Sequence, residues 1–76
     1  MTEVKVPDLG EEIKKVTIAS WLCKSGDHVK SGDDLVELVT DKASFAIDAP
    51  ASGVIHKILL KEGSEASIGD VLALIQ

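Results

Sequence analysis

Apolar and polar positions alternate along this chain in short runs broken by turn residues, and the clearest pair of runs flanks the middle. Leu35 to Val39 and Ser44 to Ile47 read as strands, with Thr40-Asp41-Lys42-Ala43 between them. If Asp41 and Lys42 are the loop residues of a hairpin, Thr40 faces Ala43, Leu38 faces Phe45 and Val36 faces Ile47. Directly opposed residues share a face of the ribbon, so Val36, Leu38, Phe45 and Ile47 form one apolar face. Glu37, Ser44 and Asp48 take the other. A slip of one residue would mix the two sets, which specifies the register. Lys42 then stands at the tip, toward water. Turn chemistry does not by itself choose Asp41-Lys42, because two-residue loops favour Asn-Gly or Asp-Gly. Lysine is also mostly exposed wherever it occurs, so a turn lysine is by default plain surface. Weight has to come from the rest of the chain.

The same alternation continues outside the hairpin. Val4 to Val6 forms a short strand closed by Pro7-Asp8, with Gly10 as a second breaker. Leu9 to Ile13 make an acidic loop carrying Glu11 and Glu12. From Lys15 to Cys23 the pattern sets Val16, Ile18 and Leu22 against Thr17, Ala19 and Trp21. Turns at Lys24-Ser25-Gly26-Asp27 and Ser31-Gly32-Asp33 bracket a brief apolar return at Val29. After Pro50-Ala51-Ser52-Gly53 come a strand over Val54 to Leu60, turns at 61–64 and 67–70, and a last strand over Val71 to Ile75. No segment sustains a helical period. The pattern predicts an all-β domain.

The second half repeats the first. At a spacing of 37 residues, Ile18 meets Ile55, Leu22 meets Leu59, Gly26 meets Gly63, Gly32 meets Gly69, Asp33 meets Asp70 and Leu35 meets Leu72. Before this region Val6-Pro7 matches Ala49-Pro50 only at 43, so six extra residues lie between Asp8 and Lys15. Each half offers about four short strands, too few to bury a face alone. Two halves facing each other predict a flattened barrel or sandwich of two four-stranded sheets with quasi-twofold symmetry. The Lys42 hairpin joins the halves at one end, with both chain termini expected near the other.

Composition narrows the function classes. The 76 residues make one small domain, 1–76, near the lower limit for an unaided core. Only Trp21 and Phe45 are aromatic, so the core is built from Val, Ile, Leu and Ala. A net charge of −5 with no basic cluster argues against a nucleic-acid partner, and no apolar run approaches a membrane span. Cys23 is the sole cysteine, which fits a reducing compartment and reads as a small apolar filler. The N-terminus runs straight into strand-like alternation without signal character. Bacterial cytoplasm is the expected location, or the mitochondrial matrix where a transit peptide has been removed.

Asp41-Lys42-Ala43, with "PDLGEEI" before it, "KSGDHVKSGDDL" between and "APASGVIHKILLKEGSEASIGD" after it, resembles a lipoyl domain across essentially the whole chain. Such domains are the swinging-arm carriers of 2-oxo acid dehydrogenase complexes, within dihydrolipoamide acyltransferases. The resemblance implies covalent lipoate on Lys42, added by a lipoate ligase or a lipoyl/octanoyl transferase that reads Asp41 and Ala43. It implies a carrier without catalysis of its own. A thiamine-diphosphate 2-oxo acid decarboxylase would reductively acylate the lipoyl group, and the acyltransferase core would pass the acyl group to coenzyme A. A flavin dihydrolipoamide dehydrogenase would then reoxidise the dithiol. The isolated domain is expected to be a monomer. Glu12 stands where the family's Pro-x-Leu-Gly-Glu-Gly loop has its last glycine. In the family this loop lies near the lipoyl-lysine, so Leu9, Glu11 and Glu12 are expected to meet the decarboxylase. Alanine after the lysine leans toward pyruvate or branched-chain complexes over 2-oxoglutarate. Biotin carrier domains share the fold but set their lysine between methionines, and here the only methionine is Met1. An unmodified structural module is the alternative from another class.

The remaining residues suggest little chemistry. An exposed lysine is an ammonium at neutral pH and a poor nucleophile unaided, which suits a substrate for a modifying enzyme. Acylation would replace its charge with an amide. A lipoyl-lysine arm spans about ten bonds and reaches roughly 12–15 Å from the backbone. His28 and His56 lack metal-ligand spacing, and Asp27, Asp33 and Asp34 read as turn chemistry. Trp21 reads as packing.

Overall fold

A computed structural model describes residues 1–8, 10 and 13–76. Eight strands follow in order: β1 (Thr2–Lys5), β2 (Lys15–Trp21), β3 (His28–Val29), β4 (Asp34–Val39), β5 (Ser44–Asp48), β6 (Gly53–Ile58), β7 (Glu65–Ser67) and β8 (Val71–Ile75). They form two four-stranded antiparallel sheets with the orders β1-β8-β6-β3 and β5-β4-β2-β7. Adding or subtracting four from each strand number turns one order into the other. The expected all-β sandwich with quasi-twofold symmetry is present.

The symmetry extends to the register. Ile18 pairs with Leu38 and Ile55 with Ile75, and a bulge follows in each strand, at Ile18/Ser20 and at Ile55/Lys57. A bulge adds a residue to one strand and shifts which side chains face inward. Here it corrects the simple alternation. Val16 and Ile18 are buried as expected, but Leu22 is 51% exposed, and Trp21 and Cys23 turn to the core instead. Its repeat mate Leu59 is likewise 41% exposed. In β4 a further bulge between Asp34 and Val36 lets the adjacent Leu35 and Val36 both be buried.

The core draws on both halves: Ile18, Leu35, Val36 and Leu38 from the first, and Ile55, Leu72, Ala73 and Ile75 from the second. With no sizeable aromatic component, close packing of these branched chains supplies the stabilisation. Trp21 packs against their edge, and its Nε1–H donates to the Leu60 carbonyl at 2.8 Å. The turn aspartates act locally, as their spacing indicates. Asp27 Oδ2 accepts the Lys24 N–H, Asp33 Oδ2 the Lys30 N–H and Asp70 Oδ2 the Ser67 N–H, each within 2.9 Å. Asp34 does not join them in a turn; it opens β4 opposite Asp48.

Both termini meet in the first sheet, where Thr2 pairs with Ile75 and the Val54 N–H donates to the Gln76 carbonyl. Gly53 begins β6 a few residues after Asp48, the end of β5 remote from the hairpin. Strand β5 therefore separates Lys42 from the termini by roughly 17 Å, at about 3.4 Å per residue. Lys42 and the termini occupy opposite ends.

Candidate functional site

The hairpin between β4 and β5 has the register that its side-chain pattern predicts: Val36 opposite Ile47, Leu38 opposite Phe45 and Val39 opposite Ser44. Val36 and Leu38 are completely buried and Ile47 is 8% exposed, so the base of the hairpin is fixed by the core. Phe45 is only half-buried, because β5 is an edge strand and Phe45 sits toward its tip. Beyond Val39 the chain leaves the core, and Asp41, Lys42 and Ala43 are all exposed. The structure thus brings together the three residues expected at the modification site.

The tip closes through side-chain hydrogen bonding. The Thr40 N–H donates to the Ala43 carbonyl at 2.8 Å. The Ala43 N–H donates to Thr40 Oγ1 at 3.1 Å, and the Lys42 N–H approaches the same oxygen at 3.3 Å. Thr40 Oγ1 donates in turn to the Ala43 carbonyl at 3.2 Å. Among the described residues no non-glycine has a positive φ. The primed turns that call for glycine are therefore not used, and Asp41-Lys42 avoids the left-handed backbone region. Reading strand pairs alone missed the role of Thr40. Its signal was present, since threonine readily hydrogen-bonds backbone amides two and three residues on.

A groove runs beside the tip, lined by Gly10, Ile13, Lys15, Val16, Thr17 and Glu65 together with Thr40, Asp41 and Lys42. It follows from the topology. β2 is antiparallel to β4 with Thr17 opposite Val39, so the start of β2 and the segment that feeds it lie at the hairpin end. Leu9, Glu11 and Glu12, expected to meet a partner enzyme, lie outside the described residues; Gly10 and Ile13 from the same loop do reach the groove.

The other candidates lie away from the groove at the hairpin tip. Cys23 is buried with Sγ 3.8 Å from the Leu35 carbonyl, and burial, helped by the negative charge of Asp27, pushes its thiol pKa up. A raised pKa suppresses the thiolate and hence reactivity. His28 and His56 are exposed, and no cluster of three potential metal ligands occurs among the described residues.

Comparison with known proteins bears on this hairpin. Residues 2–75 match the family model for biotin or lipoyl attachment, described as "Biotin-requiring enzyme". The chain is 41% identical over 75 residues to the dihydrolipoyllysine-residue succinyltransferase component of the 2-oxoglutarate dehydrogenase complex of Bacillus subtilis, covering 99% of this chain and 18% of that protein. It is 46% identical over 74 residues to the dihydrolipoyllysine-residue acetyltransferase component of the pyruvate dehydrogenase complex of Zymomonas mobilis, covering 96% of this chain and 17% of that one. The chain thus spans less than a fifth of these relatives' length. Among solved structures, the lipoyl domain of the Azotobacter vinelandii 2-oxoglutarate dehydrogenase complex superposes with a TM-score of 0.80 at 33% identity, over 100% of this chain and 96% of that one. Kluyveromyces lactis urea carboxylase matches at a TM-score of 0.66 and 26% identity, over 99% of this chain and 7% of that one. With the family model covering almost every residue and a whole lipoyl domain matching end to end, the chain belongs to the biotin- and lipoyl-attachment family, as a lipoyl domain.

Proposed function

We propose that Lys42 is the attachment lysine and carries lipoate in amide linkage. The observation that supports this most is the placement of Lys42 at the exposed tip of a hairpin whose base is locked in the core of a lipoyl domain. A lipoyl group there would supply a disulfide that can be reduced as it accepts an acyl group, and can later give that group up. The protein's own residues supply address and reach. The buried base fixes where the arm starts, and exposure at 41–43 lets a modifying enzyme approach from the end of the barrel. The chain termini leave from the opposite end, so a tether would not obstruct the arm. Tethering would raise the arm's effective concentration at successive active sites.

The partners that fit are a lipoate ligase or lipoyl/octanoyl transferase, a 2-oxo acid decarboxylase, an acyltransferase core and a dihydrolipoamide dehydrogenase. Asp41 and Ala43, exposed on either side of Lys42, are the residues a modifying enzyme would read. Replacing both by methionine should let a biotin ligase accept the domain to a measurable extent, because the shared fold leaves discrimination to the residues touched. Equal treatment of parent and double variant by that ligase would show that other residues discriminate. Relatives from both pyruvate and 2-oxoglutarate complexes match the chain at similar identity. Incubating the lipoylated domain with each decarboxylase in turn would assign the 2-oxo acid. The attachment itself is tested by intact mass after treatment with lipoate ligase, lipoate and ATP. One added lipoyl group supports the reading, and an unchanged mass refutes it.

A further inference from the structure

The geometry points to Thr40 as a positioning residue for acylation of Lys42, acting through its hydroxyl on the backbone of the tip; this inference rests on the carrier reading above. A tight hairpin normally closes with a backbone pair at its last strand residues, and primed turns achieve this with glycine. Here glycine is absent from residues 40–43, and no positive φ occurs among the described non-glycine residues. One half of the usual closing pair remains, the Thr40 N–H to the Ala43 carbonyl at 2.8 Å. The Ala43 N–H goes instead to Thr40 Oγ1 at 3.1 Å, and the Lys42 N–H points at the same oxygen at 3.3 Å. The hydroxyl proton returns to the Ala43 carbonyl at 3.2 Å. One side chain therefore engages the backbone on both sides of the Lys42–Ala43 peptide unit and sets the direction in which Lys42 leaves the chain.

Two further features hold that side chain in place. Threonine is β-branched and stiff about χ1. Thr40 is also half-buried, and it lines the groove with Val16 and Thr17 while Asp41, Lys42 and Ala43 are exposed. The tip is thereby pre-organised from its own first residue. Without the hydroxyl, the tip would visit other turn conformations, and a modifying enzyme would have to select the competent one. Its apparent affinity would fall by that fraction while turnover at saturation stayed the same.

Three proteins decide the matter: the parent, Thr40→Ser and Thr40→Val. The serine variant keeps the hydroxyl, and the valine variant keeps the shape without it. Each would be assayed with purified lipoate ligase, lipoate and ATP, alongside urea unfolding and amide exchange at Lys42 and Ala43. We expect Thr40→Val to lower kcat/KM for lipoylation by about five- to ten-fold, carried by KM. Thr40→Ser should restore most of it, and the amides of Lys42 and Ala43 should exchange faster in Thr40→Val than in the parent. Parent-like kinetics in Thr40→Val, or equal impairment in Thr40→Ser, would overturn the assignment. If Thr40→Val loses stability, the exchange data still decide, since unprotected Lys42 and Ala43 amides in the parent itself would exclude the hydroxyl as their partner. Failure of the ligase to modify the parent would sink the carrier reading instead, leaving the exchange comparison to judge Thr40.

Discussion

The amide of Gly26 donates to the Ile55 carbonyl at 2.7 Å, and 37 residues on, that of Gly63 donates to Ile18 at 2.8 Å. Leu22 donates to Leu35 at 2.8 Å and Leu59 to Leu72 at 2.9 Å, while Gly32 donates to Ala49 and Gly69 to Val6 at 3.0 and 2.9 Å. The two halves of the molecule are thus built on one set of turns, bulges and core positions. They part company at the hairpin end. There β4 runs into β5 through Thr40–Ala43, whereas the corresponding strands of the other sheet, β8 and β1, hold the two chain termini. The connection into β2, with its six extra residues, also reaches this end, beside Lys42. The core positions recur in both halves, and Lys42, the proposed attachment site, lies where the repeat is broken.

If the cores are equivalent, matched truncations should cost the same. Leu35 and Leu72 are repeat mates with exposures of 1% and 0%. Leu35→Ala and Leu72→Ala should each destabilise by about 2–5 kcal/mol in urea unfolding. A difference between them larger than half of either value would break the equivalence. Gly53 offers a sharper contrast, because its repeat mate is Val16. A Cβ at Gly53 would lie 2.5 Å from the Gln76 carbonyl oxygen and 2.7 Å from Ile75 Cγ2, so the last residues of the chain exclude a side chain there. Gly53→Ala should cost about 1–3 kcal/mol through overpacking and loosen the pairing of residues 75 and 76. An unchanged unfolding midpoint, with slow exchange kept at the Gln76 amide, would show that the close approach yields without cost.

The broken part of the repeat should behave in the opposite way. Shortening residues 8–15 to the length of the matching connection in the second half leaves the hairpin untouched. Ligase-catalysed lipoylation should continue, while reductive acylation by the cognate decarboxylase drops by about ten-fold or more, with Glu11 and Glu12 contributing chiefly to association rate and salt dependence. Acylation at the parent rate would make the loop spare surface. Smallest of all should be the effect of Lys42→Arg on stability, within about 0.5 kcal/mol, because the side chain extends from an exposed tip. A larger loss would mean that Lys42 also supports the fold.

Much of this was legible from residue patterns. The register at Val36/Ile47 and Leu38/Phe45 follows from alternation, because the buried face tolerates no slip. The halves follow from the spacing of Gly26/Gly63 and Leu35/Leu72. Leu22 was misplaced because alternation assumes an unbroken strand, and a bulge leaves no residue signature when neither neighbour is glycine. The paired exposure of Leu22 and Leu59 shows that the error belongs to the repeat unit and not to one strand. The short strand at Glu65–Ser67 escaped because three residues are too few to show a period. The closure of the tip by Thr40 depends on a side-chain rotamer, which no pattern of apolar and polar positions encodes.

On this reading the break in the symmetry exists to present Lys42. Intact-mass analysis with peptide mapping, on parent and Lys42→Arg after exposure to lipoate ligase, lipoate and ATP, tests it most directly. One lipoyl group is expected on the parent, mapped to Lys42, and none on the folded variant. A lipoyl group on Lys30, Lys57 or any other lysine of the variant, or an unmodified parent, would contradict it.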